Sequence, residues 1–328
     1  MTYPIFDIPV DSPVSDEPMG TKRKFWLIRE DGSRWLFKYA RVNDGVATGE
    51  DWAEKVACEL ARLLGIPVAP VELATCGGQR GMVSFDVTRR HINRESKTTT
   101  DPLLQSFWEP IGALVHGNEF LSDIDPAYPK ERVYRVSEHT VDRVVGLLES
   151  TVFLPPIELD SAEPIETAAD AFVGYLLLDA LIGNTDRHHE NWGVIVSPEE
   201  GNRLCPSYDH ASSLGRNMSD EELKDRLTTR DGNRSVQGYA ARAKSAFYDQ
   251  PNDQKPLSPI DAFRKAALLR PKAAVYWKIH SLTFYKRSWK EIIDQVPDSI
   301  MSEPAKEFAD RMLQANFEEL LKGQANTP

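Results

Sequence analysis

Apolar and polar positions alternate in two short runs near the start of the chain, Phe25-Trp26-Leu27-Ile28-Arg29 and Arg34-Trp35-Leu36-Phe37-Lys38-Tyr39. A period of two sends successive side chains to opposite faces of a strand, and the intervening Glu30-Asp31-Gly32-Ser33 holds an Asp-Gly pair suited to a tight turn, so a β-hairpin is predicted. Over residues 50–64 the period lengthens. Trp52, Val56, Leu60 and Leu63/Leu64 recur at helical spacing, and Gly65 supplies a stop. Residues 67–73 and 81–87 read as two more strands on either side of a Gly77-Gly78 turn.

Beyond Thr88 the pattern changes. Residues 89–100 are polar and turn-rich, and the remainder is mainly helical in period, with helices predicted at 101–113, 137–149, 163–182, 259–269, 274–282, 288–295 and 303–322. One hairpin interrupts them, 192–196 against 203–205, and 211–254 is charged and polar enough to read as a mobile surface region. No internal repeat or heptad array is present. The expected fold class is α+β, with a small β-rich unit over 1–88 and a larger, mainly helical unit over 89–328.

With 328 residues and 41% hydrophobic content the chain can bury a real core. Its formal net charge of -11 repels phosphate backbones and anionic lipid heads, so direct nucleic-acid binding is not expected. Cys58, Cys76 and Cys205 are odd in number and far apart, which suits buried reduced thiols better than a disulfide framework. Residues 171–183 are the most apolar stretch, but they are shorter than the roughly 20 a membrane span needs and contain Asp179. Residues 1–19 carry prolines and acids where a secretory signal needs a basic start and an apolar run. A cytoplasmic protein is expected, with export as an effector left open.

The chemistry concentrates in Asn184-Thr185-Asp186-Arg187-His188-His189-Glu190-Asn191. An aspartate five positions before an asparagine lets a short loop aim a carboxylate at an attacking hydroxyl while the amide oxygen turns to a magnesium ion, the arrangement of a protein-kinase catalytic loop. Such a pair is common by chance, and its context carries the weight. A long apolar helix precedes it, and a hairpin follows that ends in Pro206-Ser207-Tyr208-Asp209, placing a second carboxylate just past a strand. Lys38 on the first hairpin is a strand cation for nucleotide phosphates, and Glu54 on the helix is its candidate ion-pair partner. Singly, Lys38 and Glu54 read as ordinary solvated side chains. Their joint order is what argues for a site. Gly20, followed by Lys22, Arg23 and Lys24, stands where a phosphate-covering loop would lie. His188, His189 and His210 with Asp186 and Asp209 also permit a His/Asp metal hydrolase, but imidazoles favour transition metals, whereas a carboxylate and an amide suit magnesium.

The stretches Leu181-Ile-Gly-Asn-Thr-Asp-Arg-His-His-Glu-Asn-Trp-Gly-Val194 and Leu204-Cys-Pro-Ser-Tyr-Asp-His-Ala-Ser212 resemble the signature of HipA-like kinases. The resemblance extends to Glu54-Lys-Val-Ala-Cys-Glu-Leu-Ala-Arg-Leu-Leu-Gly-Ile66, and more faintly to the C-terminal part from Val296-Pro-Asp298 to Glu319-Leu-Leu321. It is greatest to short bacterial members that lack the extra N-terminal subdomain. It implies a bilobal protein-kinase-like fold and ATP- and Mg²⁺-dependent phosphorylation of a Ser/Thr acceptor in a protein substrate. Asp186 is then the base, Asn191 and Asp209 bind Mg²⁺, Lys38 takes the α/β-phosphates, and Glu54 positions Lys38. Gly20 and Lys24 fall in the phosphate-covering loop, and His188 supports Asp186. Backbone groups of Val83 and Phe85, in Val83-Ser-Phe-Asp86, meet adenine. The regulatory serine of that family's glycine-rich loop has no counterpart in 16–20, so autophosphorylation would fall to Thr21 or Ser15. The same resemblance leaves open a toxin or effector role, and leaves open whether an antitoxin-like partner is a separate chain or absent. The rival readings are a nucleotide-binding pseudokinase scaffold and a lipid or small-molecule kinase.

Overall fold

The computed structural model describes residues 2–16, 23–43, 45–93, 106–283 and 288–322. Its first part is a six-stranded sheet in the order Ile5–Ile8, Val71–Cys76, Gln79–Phe85, Arg34–Tyr39, Lys24–Ile28, Ser15–Asp16. Ile5–Ile8 pairs in parallel with Val71–Cys76, and the other neighbours are antiparallel. The predicted hairpin forms around Gly32, whose φ of 77° fits the left-handed turn position that glycine adopts without cost. Lys24 lies directly opposite Lys38, so both side chains share a face of the sheet. On the opposite face Phe25, Leu27, Trp35, Phe37 and Val83 form a small apolar cluster with Ile8 and Ala74.

Helix Glu50–Leu63 packs Cys58 on Val71 and Met82 of the sheet. Its wider apolar side, Trp52, Ala53, Val56, Leu60 and Ala61, enters the large core of the C-terminal part. That core is built around helix Ala168–Ile182, buried along its whole length. Thr167 and Asp170 form a capping box at its start, and Gly183 ends it at φ 63°. Helices Pro259–Leu269, Pro271–Thr283 and Glu303–Lys322 pack around it.

Several expectations are corrected. The helix predicted at 101–113 is not one: Ser106–Pro110 is a strand paired with Arg89–Asn93, and Ala113–His116 pairs with Gly193–Ser197, while 101–105 lie outside the described residues. Partner strands supplied hydrogen bonds that a local period could not reveal. The region 211–254 is also built into the fold. It carries helices Asp220–Thr228 and Val236–Ala240 and buries Leu214, Leu223, Val236 and Phe247. The strands expected at 67–73 and 81–87 run instead over Val71–Cys76 and Gln79–Phe85, after Pro67 and Pro70, which lack a donor for a ladder. The helices predicted from 137 and 163 begin at Val141 and Ala168, where Thr140 and Thr167 cap them. Gly20 lies outside the described residues. The three cysteines are buried and unpaired. Among the described residues no helix is long and apolar enough to cross a membrane.

Candidate active site

The loop after Gly183 is fastened to the buried helix by one ion pair. Arg187 donates from Nε to Asp179 Oδ2 and from Nη2 to Asp179 Oδ1, both at 2.8 Å, with both residues buried. Burial works against the guanidinium charge and the Asp179 carboxylate outweighs it, so the Arg187 pKa is raised. The third nitrogen, Nη1, donates to the carbonyls of Asn191 at 2.8 Å and Tyr208 at 3.2 Å. One side chain therefore ties the helix, the far end of the loop and the residue before Asp209 together. Asn184 completes the anchor, donating to Asp179 Oδ1 at 2.8 Å and accepting from the Asp186 N–H at 3.1 Å.

Asp186 thus presents its carboxylate from a fixed backbone. Ser212 Oγ donates to its Oδ2 at 3.4 Å, and His188 Nε2 stands 3.9 Å from its Oδ1. Asn191 Nδ2 donates to the Asp186 carbonyl at 2.6 Å. That bond fixes which end of the amide is nitrogen and leaves Oδ1 as the end that can accept a cation. His188 is pulled down to about 4 by burial, against the Asp209 carboxylate, and is neutral at pH 7. Its Nδ1 accepts from the Glu190 N–H at 3.2 Å, which places the ring proton on Nε2, toward Asp186.

Across the cleft, Lys38 Nζ reaches Asp209 Oδ1 at 3.4 Å, joining the sheet to the segment after Leu204. Burial works against the ammonium charge, but the carboxylates of Asp209 and Glu54 outweigh it, so the Lys38 pKa is raised. Asp209 holds a positive φ of 59°. Glu54, expected to pair with Lys38, instead contacts His210, with Oε1 3.1 Å from Nδ1, while its buried Oε2 has no hydrogen-bond partner among the described residues. His210 Nε2 lies 2.7 Å from Ser207 Oγ. Burial opposes the Glu54 charge, yet the His210 hydrogen bond prevails and its pKa is lowered.

Lys38, Asp209, Glu54, Asp186 and Asn191 thus converge on one cleft, and Lys24 shares the Lys38 face of the sheet. Val83 and Phe85 lie on the neighbouring strand, Gln79–Phe85. Val83 is an interior sheet residue, paired on both sides with Phe37 and Glu72, and Phe85 packs edge-on against Trp35 with ring centroids 5.4 Å apart. Three participants were not anticipated from the sequence. Asp179 is the buried anchor of Arg187, and a lone acid in an apolar helix was its signal. Ser212 holds Asp186. Tyr134 faces the site, since burial first and the Asp186 carboxylate next raise its pKa, and its ring lies 5.6 Å from that of His188. The donor set fits magnesium: a carboxylate, Asp209, and an amide oxygen, Asn191 Oδ1, are hard ligands suited to an ion that also binds phosphate oxygens.

Lysine strand, supporting helix, catalytic-type loop, hairpin and acidic segment together make a kinase-like fold. The chain is similar to the Helicobacter pylori proinflammatory kinase CtkA (19% identity, TM-score 0.67, covering 97% of this chain and 96% of that one). It is also similar to Shewanella oneidensis HipA, solved with HipB and its operator DNA (15% identity, TM-score 0.55, 95% and 65% covered). The HipA-like resemblance read from the sequence holds at the level of the fold. In sequence, the chain is 26% identical over 188 residues to the Sinorhizobium fredii protein Y4dM, named as an inferred kinase; the match takes in 56% of this chain and 38% of that protein. No family model matches the chain.

Proposed function

We propose that the chain is an ATP- and Mg²⁺-dependent kinase that phosphorylates a Ser or Thr hydroxyl of a protein substrate. The observation that carries this reading is the joint placement of the Lys38–Asp209 contact and the Asp186–Asn191 loop, held together through Arg187. In this reading the nucleotide lies between 1–88 and 89–328, and bound Mg-ATP supplies an electrophilic terminal phosphoryl group. Asn191 Oδ1 and the Asp209 carboxylate hold the magnesium. Lys38 and Lys24 lie along the phosphates. Asp186 orients the acceptor hydroxyl and takes its proton, while the Ser212 hydroxyl and the neutral His188 keep the carboxylate aimed. Glu54 works through His210 to brace the Asp209 segment. Because Val83 is committed to the sheet on both sides and the Phe85 N–H donates to the Pro70 carbonyl, the adenine contact passes to the chain just past the strand, where Val87 lines a cavity with Phe85, Ile195 and Leu204.

The test is intact mass after incubation with Mg-ATP and a mixture of protein acceptors, for the wild type, Asp186→Asn and Asp209→Asn. Both variants are expected to lose at least about 100-fold in phosphate incorporation, the scale of losing a positioned base or metal ligand. Equal incorporation by all three proteins would overturn the assignment. A separate antitoxin-like partner is proposed by analogy with the HipA structure, which contains HipB.

A further inference from the structure

Two cavities meet at Thr185, the residue before the proposed base. One, of about 500 Å³, is lined by Asp186, His188, Tyr134, Arg135 and Tyr248. The other, of about 480 Å³, is lined by Arg216, Arg226, Arg242 and Lys244, together with Ser212 and Tyr239, and among the described residues no Asp or Glu lines it. Four cations around one cavity stand out in a chain whose net charge is -11.

The cations differ in how far they are neutralised. Arg216 is paired with Glu50 at 2.8 Å and belongs to the wall. Arg226 lies over the Tyr239 ring at 4.9 Å and donates from Nη1 to the Arg234 carbonyl at 3.2 Å. Arg242 Nη1 donates to the Asn233 carbonyl at 2.6 Å. These partners are neutral. They fix two guanidinium groups in place without cancelling their charge, and Lys244 is exposed at the rim. Arg226 is offset in part by the Glu222 carboxylate one helical turn before it, which does not line the cavity, and cations held in place and only partly neutralised gain from an anion that brings oxygen acceptors.

We infer that this second cavity binds an acidic or phosphorylated side chain of the polypeptide substrate, a few residues from the acceptor. The inference rests on the kinase reading for the first cavity. The shared wall at Thr185 lets one extended peptide set a hydroxyl beside Asp186 and an anionic neighbour among Arg226, Arg242 and Lys244. The open volume suits a side chain carried on a passing backbone.

The probes are fluorescein-labelled serine peptides flanked by glutamate, phosphoserine or glutamine, measured for anisotropy and for phosphotransfer with the full chain. The wild type should bind the glutamate or phosphoserine peptide at least tenfold more tightly than the glutamine one. Arg226→Gln/Arg242→Gln/Lys244→Gln should lose that preference while phosphorylating the glutamine peptide at the wild-type rate. Lys244→Glu, a change at an exposed position, is the second variant and should weaken anionic binding in a chain that circular dichroism shows folded. An unchanged preference in both variants, or no preference in the wild type, overturns the inference. Transfer without charge preference sinks the inference and leaves the kinase reading standing. Pocket-dependent binding without transfer does the reverse.

Discussion

Arg187 spends its charge inside the protein, on Asp179. Removing one partner of a buried pair leaves the other uncompensated, so Arg187→Met should lower stability by about 3–5 kcal/mol, seen as a lower urea midpoint. Adding Asp179→Leu should restore much of it. A double variant no more stable than the single one would show that the pair is not the issue. A second prediction concerns His139, which stacks on Phe247 and is pulled to about 3 by burial and then by neighbouring His189. Its folded pKa lies below the ordinary 6.5, so unfolding takes up a proton. Stability is full above pH 6.5 and falls as the pH drops toward 3, by at most about 1.4 kcal/mol per pH unit from this group. His188 and His189, both held at about 4 by burial, steepen the fall. Urea midpoints between pH 6.5 and 5 should therefore decline less steeply in His139→Gln; identical slopes would refute the assignment. Asp186, Asn191 and Asp209 were legible as residues because their spacing is local. The partners that hold them, Asp179 and Ser212, were not, because only the folded chain brings those side chains onto the loop.

The hairpin that carries Lys38 depends on a neighbour with no side chain. A Cβ on Gly81 would stand 2.4 Å from the Lys38 carbonyl oxygen and 2.8 Å from Phe37 Cζ. Gly81→Ala should therefore push the lysine strand aside and cost about 1–3 kcal/mol, as overpacking does. Thermal denaturation checks the stability, and titration with a fluorescent ATP analogue should show weaker binding; wild-type values in both would mean that the strand is not displaced. Elements with strong internal signals were readable: the Asp31-Gly32 turn, the helix containing Glu54 and the apolar helix ending at Gly183. Ser106–Pro110 was not, because its hydrogen bonds come from Arg89–Asn93, thirteen or more residues earlier. Ile5–Ile8 was hidden for a similar reason, since its partner strand begins at Val71.

At the scale of the whole chain, the change in pattern after Thr88 marks a shift from strands to helices, but the packing crosses it. Helix Glu50–Leu63 comes before that point and still shares one apolar cluster with Ala168–Ile182 and Glu303–Lys322. Polar links add to this: Glu50 pairs with Arg216, and Arg80 joins Asp51 to the Ile300 carbonyl. A core that runs through both parts predicts one cooperative transition, with calorimetric and van't Hoff enthalpies equal; two resolved peaks would contradict it. The sequence placed that helix with the sheet because the order of elements is local information, whereas the choice of core is not. The continuous core also makes the helix part of a fixed floor, with Glu54 and His210 set into it. A widening of the cleft would then have to move the sheet that carries Lys24 and Lys38 against that floor and part the Lys38–Asp209 contact.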